Sequence, residues 1–134
     1  MGKDNLVSNL SLDFAVRIVN LYKFLCTQKK EHVLSNQVLR SGTSIGANLS
    51  ESEMCQSTAD FIAKLHISLK EANETKYWLT LLQKTNYITK DQFDSINHDL
   101  RLIIGLLVNG LKKIKEKEKQ KEKEKQRTAE NQEP

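Results

Sequence analysis

Hydrophobic positions along this chain recur every three or four residues, the period of an amphipathic helix, in four separate segments. In the first, Ser11 to Lys29, Phe14, Ile18, Leu21 and Leu25 form a stripe that Ala15, Val19 and Tyr22 widen. The second, Val33 to Met54, carries Leu34, Val38, Ile45 and Leu49. A third begins after Ser57, an N-cap with Asp60 three residues on, and ends near Lys84 or Thr85. Its stripe is Phe61, Leu65, Leu69, Ala72, Leu79 and Leu82, flanked by Ile62, Tyr77 and Trp78. The fourth opens on a capping box, Thr89 with Gln92, and a hydrophobic staple, Ile88 with Phe93. Phe93, Ile96, Leu100, Ile103, Leu107, Leu111 and Ile114 then follow at a spacing near 3.5.

The connections between segments are only a few residues long, so successive helices run antiparallel. The expected fold is all-α: an antiparallel up-down-up-down four-helix bundle with a charged, partly disordered C-terminal tail. Residues 1–10 form an arm, 11–114 the bundle and 115–134 a Lys/Glu-rich tail. In that tail Lys and Glu alternate, so like charges fall at i,i+4 and opposite charges at i,i+3, and the pair energies nearly cancel. Without an apolar face, helix four is expected to fray there, and residues 128–134 to be disordered.

The second segment contains an unusual run, Ser41-Gly42-Thr43-Ser44-Ile45-Gly46-Ala47. Each glycine inside a helix costs about 1 kcal/mol relative to alanine. Gly42 and Gly46 are four apart, hence on one face, where the missing side chains admit another backbone. The alternative is a break at Gly42 into two short helices or a loop; a continuous helix with a close contact is the expectation.

Composition narrows the class. The chain has 21 Lys and Arg against 17 Asp and Glu; residues 1–111 hold 12 and 11 of these, so the excess of +4 resides mostly in the tail. The longest apolar stretch, Leu102 to Val108, is far short of the roughly 20 residues of a membrane helix. No apolar signal core follows the first residues, and Leu6 stands where N-myristoylation favours Ser or Thr. Two cysteines, Cys26 and Cys55, make neither a disulfide framework nor a metal knuckle and read as buried, reduced thiols. The expected compartment is cytoplasmic.

The search for catalysis is negative. A bundle enzyme commonly houses a di-metal site built on Glu-x-x-His pairs, and none is present. His32, His66 and His98 are scattered and read as surface residues, and no Gly-rich phosphate loop or Cys-x-x-Cys occurs. No enzyme, cofactor or metal site is expected. Among polar residues, Arg40, Asn48, Glu51, Glu71 and Glu74 stand out. If helices two and three turn near residues 55–56, residues whose numbers sum to about 111 lie level. Arg40 is then level with Glu71 and one turn from Glu74, a bridge that serves either as a solvated pair or as an interface contact.

These residues carry a resemblance. Ser35-Asn36-Gln37-Val38-Leu39-Arg40-Ser41, then Thr43 through Asn48 and Glu51, resembles the central motif of the 23S ribosomal RNA intervening-sequence protein family. Asp60-Phe61-Ile62 with Lys64, Leu69-Lys70-Glu71-Ala72, Glu74-Thr75 and Tyr77-Trp78-Leu79 agree with its second half, and Phe14-Ala15 with its first helix. The resemblance covers roughly residues 11–111 and leaves the tail outside. It implies a four-helix bundle in a ring-like homo-oligomer, a pentamer, with no enzymatic activity. It also implies distant kinship with retroelement accessory variability proteins, which bind nucleic acid and a reverse transcriptase.

Two functions follow as expectations. One is an adaptor associated with RNA or a ribonucleoprotein, its tail offering Lys112, Lys113, Lys115, Lys117, Lys119, Lys121, Lys123, Lys125 and Arg127 to phosphates. The other is a protein–protein scaffold ring without a nucleic-acid role. In both, Arg40, Ser41, Gly42, Ile45, Gly46, Asn48, Glu51, Glu71, Glu74, Tyr77 and Trp78 are the interface or structural residues. Tyr22, Val19, Ile62, Tyr77 and Trp78 flank the core stripes, and together they would leave an apolar patch that oligomerisation buries.

Overall fold

The computed structural model describes residues 2–132, which form four helices and, among the described residues, no strand. They are α1 (Gly2–Gln28), α2 (Val33–Ser52), α3 (Thr58–Lys84) and α4 (Lys90–Asn131). Each packs against its neighbours in chain order and α1 closes the square against α4. The bundle is therefore the up-down-up-down one that the short connections predict. Phe14, Ile18, Leu25, Val38, Ile45, Leu79, Leu82, Leu100 and Ile103 are buried to 1% exposure or less and form one continuous core.

Both predicted caps are present. Ser57 Oγ accepts from the Asp60 amide at 3.1 Å, and Thr89 and Gln92 bond each other's backbone amides reciprocally. Ile88 is buried, and Phe93 packs against the core.

In helix ends and cysteines the structure departs from the sequence reading at three places. First, α1 starts at Gly2 rather than Ser11, so residues 2–10, assigned to an arm, are helical; Met1 lies outside the described residues. Val7 and Leu10 continue the Phe14 stripe at helical spacing and pack against the core, and this extends the helix. Second, α4 runs on to Asn131, so residues 128–131 are helical, not disordered; Glu133 and Pro134 lie outside the described residues. Beyond Ile114 it is built almost wholly of Lys, Glu, Gln and Arg, strong helix formers that need no tertiary support to favour the helix. Third, both cysteines are free but only half-buried, and Cys55 lies in the α2–α3 turn outside any helix.

The α1–α2 turn stops α1 on a left-handed residue. Lys30 adopts a left-handed conformation (φ 54°), and the Glu31 amide donates to Leu25 O at 3.0 Å. A β-carbon in that region costs about 1–2 kcal/mol. Lys30→Gly should accordingly raise stability by about 1 kcal/mol in urea denaturation; a loss would contradict this reading of the turn.

Candidate functional site

The α2–α3 seam gathers most of the residues singled out in the sequence. Helix α2 is continuous through Gly42 and Gly46. The close approach there is to α1 of the same chain: a β-carbon on Gly42 would stand 2.8 Å from Ile18 Cγ1, and one on Gly46 3.4 Å from Ser11 O. The opposite edge of α2 meets α3 through buried hydroxyls. Ser41 and Thr75 are both fully buried, with their oxygens 3.0 Å apart, and Ser68 Oγ donates to Ile45 O at 3.0 Å. Ser41, Thr75 and Ser68 are thus spent on helix–helix contacts, while Thr43 and Ser44 donate to the Leu39 and Arg40 carbonyls of their own helix.

On the outer rim of this seam the hairpin register holds. Arg40 donates to Glu71 at 3.4 Å and to Glu74, and Gln37 accepts from the same guanidinium at 3.2 Å. The Trp78 indole N–H donates to Glu74 at 3.3 Å, and the Trp78 ring meets Tyr77 edge-on, 5.0 Å between centroids. The Arg40 side chain is 49% exposed and Glu71 17%, so this is a solvent-facing network within one chain. In an isolated chain Arg40→Ala should cost under about 1 kcal/mol. A loss of about 3 kcal/mol or more by thermal denaturation would mark the pair as buried in an interface.

Asn48 donates to Ser44 O of its own helix, and Glu51 pairs with Lys64 on α3, a hydrogen bond that raises the Lys64 pKa. The Tyr22 phenol is likewise pushed up, by its hydrogen bond to Cys26. The three histidines are exposed, and no group of three or more His, Cys, Asp or Glu that could hold a metal occurs among the described residues.

Sequence reasoning missed several groups. Arg17 ties α1 to α4, donating to Asp99 at 2.7 Å, Ser95 Oγ at 2.8 Å and Ser95 O at 3.1 Å. The apolar surface also lies elsewhere than expected: Tyr22, Val19, Ile62 and Trp78 are half-buried within the bundle, and only Tyr77 of the five is exposed. The other exposed large apolar residues are Leu6, Leu12 (65%) and Val16 (54%) on α1, Val33 at the start of α2 and Met54 just past its end, Ile67 on α3 and Leu102 (48%) on α4, with Leu12 and Val16 one turn apart. Gly105, one turn from Leu102, and Gly110 have nothing among the described residues within 4 Å of where a β-carbon would sit. In a helix interior such a glycine costs about 1 kcal/mol relative to alanine.

Beyond Ile114 every described residue is exposed, and α4 projects about 25 Å from the bundle at 1.5 Å per residue. No basic side chain from Lys115 to Arg127 is in an ion pair among the described residues. Lys112 is exposed at the base of this projection, as is Lys113, which has a contact within the chain. An open apolar crevice of about 540 Å³ lies at the same end, between Val7, Leu49, Phe61, Leu65 and Ile114. No helix among the described residues is long and apolar enough to cross a membrane.

Helices α1 to α3, the first half of α4 and the Arg40 network fall within the reach of one family model. That model, described as 23S rRNA-intervening sequence protein, matches residues 3–109. The chain belongs to that family. A solved structure similar to it is a protein of unknown function from the S23 ribosomal protein family of Bacteroides thetaiotaomicron VPI-5482. The two share 63% identity and superpose with a TM-score of 0.81, over 82% of this chain and 98% of that one. No curated protein matches. This is not a known enzyme family, and α4 beyond residue 109, its projection included, lies outside the family match.

Proposed function

We propose that this intervening-sequence family protein is a non-enzymatic, homo-oligomeric four-helix-bundle adaptor that associates with RNA or a ribonucleoprotein. The observation that carries the reading is the α4 projection: a continuous exposed helix whose cations from Lys115 to Arg127 make no ion pair among the described residues. Such cations release counterions on meeting phosphates, and this drives binding without base recognition. The projection has no aromatic residue to stack on bases.

Leu12 and Val16 on α1 and the Leu102–Gly105 face of α4 support self-association, since a second copy would bury both. Closure into a ring leaves no free sticky face, and five subunits is the number the family resemblance suggests. The test joins light scattering with binding of the full chain to bulk transfer RNA. A mass several times 15.4 kDa at micromolar protein is expected, with RNA affinity falling steeply between about 50 and 200 mM salt. A monomer would remove the oligomer, and salt-insensitive binding would remove the phosphate contact. An oligomer that binds no RNA favours the second reading, a protein–protein scaffold, which the same exposed apolar faces support.

A further inference from the structure

Residues two apart on an α-helix stand about 200° apart around its axis, and residues four apart only about 40°. Lys or Arg stands at every odd position from 115 to 127, alternating with Glu or, at 120 and 126, Gln. In the continuous helix of α4 this alternation therefore resolves into four ridges that wind round it by about 40° every four residues. Lys115, Lys119, Lys123 and Arg127 make one. Lys117, Lys121 and Lys125 make a second, on the opposite side of the helix. Between them lie two acidic ridges, one through Glu118 and Glu122, the other through Glu116 and Glu124. In cross-section the projection is positive, negative, positive, negative.

A single nucleic-acid strand meets only one basic ridge of such a rod and has carboxylates on both flanks. Two strands, one on either side and following the slow winding of the ridges, meet both basic ridges, while the acids face the open gaps between strands. The separation this needs is the helix diameter, about 10–12 Å. The major groove of an A-form duplex is too deep and narrow for side chains to read, so it does not supply that gap. Two backbone segments packed side by side in a folded RNA do. The two ridges are equal in kind, and nothing apolar in residues 115–127 competes to dock the helix elsewhere. We infer that the α4 projection is a bridging rod that lies between two phosphodiester strands of a folded RNA. This rests on the RNA-associated reading above and adds the geometry of contact.

The test compares the full chain with a variant of identical composition and net charge, Lys117→Glu, Glu118→Lys, Lys121→Glu and Glu122→Lys. The exchange gathers the cations onto one side of the helix. Circular dichroism and light scattering should show unchanged helix content and mass, because the four positions lie beyond the bundle. The probes are bulk transfer RNA, which packs backbone strands side by side, and poly(U), which does not. The unaltered chain should favour transfer RNA by about tenfold or more per nucleotide, because both ridges release counterions there and only one does on poly(U). In the variant that preference should shrink to about threefold or less as poly(U) binding tightens. An unchanged preference in the variant overturns the bridging geometry and leaves RNA association standing. Failure of the unaltered chain to bind either RNA at about 50 mM salt overturns RNA association, and the bridging rod with it.

Discussion

Replacing Gly42 with alanine should destabilise the bundle by about 1–3 kcal/mol, and replacing it with leucine should cost more. The new β-carbon would stand 2.8 Å from Ile18 Cγ1, 2.9 Å from Cγ2 and 3.3 Å from Cβ. Ile18 is fully buried, and a β-branched residue in a helix holds essentially one χ1 rotamer, so its branch cannot swing away. The backbones of α1 and α2 must part instead. Alanine's better helix propensity returns about 1 kcal/mol, which the clash outweighs. Gly46→Ala is the control: its nearest neighbour would be at 3.4 Å, and the propensity gain should leave it neutral or up to about 1 kcal/mol more stable. Urea midpoints of the two variants decide the matter, and a Gly42→Ala protein as stable as its parent would refute the close approach.

Glu31→Ala should cost about 2 kcal/mol, although no sequence rule for caps marks the position. Helix α2 has no side-chain cap from His32, its N-cap residue. The Glu31 carboxylate does that work, accepting from the amides of Val33 at 3.0 Å, Leu34 at 2.8 Å and Ser35 at 2.8 Å. Burial pushes the Glu31 pKa up, but the backbone donors outweigh it and hold the carboxyl below its ordinary value. A carboxylate more acidic in the folded state than in the unfolded one stabilises the fold at neutral pH. That stability is lost as pH falls below the usual glutamate range and through the depressed folded value. The difference in stability between the parent and Glu31→Ala should therefore be full at pH 7 and shrink through acid pH. A difference that stays constant down to the acid limit would show that the carboxylate's charge is not what caps α2.

The parts of this structure that were legible in the sequence are those set by local chemistry or by simple register. Ser57 and Thr89 announce their helices because each places a hydroxyl three residues before a waiting amide. Arg40 finds Glu71 and Glu74 because a short turn fixes the level of two antiparallel helices. The two glycines signal a close contact, but their spacing ranks neither and names no partner; only the packed structure assigns Gly42 to Ile18. The Arg17 clamp joins residues 78 to 82 positions apart across α1 and α4, and no local pattern encodes that pairing. The exposed faces were misplaced for a related reason. Which flanking residues turn outward depends on the exact rotation of each helix, and a few tens of degrees separate a half-buried Val19 from an exposed Val16. The α4 projection was underestimated because pair energies that cancel leave intrinsic propensity to decide, and it favours the helix.

The most direct test of the adaptor role is to compare the full chain with a chain ending at Ile114. Light scattering should report the same oligomer for both, since Ile114 is the last residue packed against the core. Binding to transfer RNA should fall sharply on truncation at about 50 mM salt, and the slope of log affinity against log salt should flatten by several units as the projection's cations are lost. A truncated oligomer that binds transfer RNA as tightly as the full chain, with the same salt slope, would contradict a role for the α4 projection in RNA association.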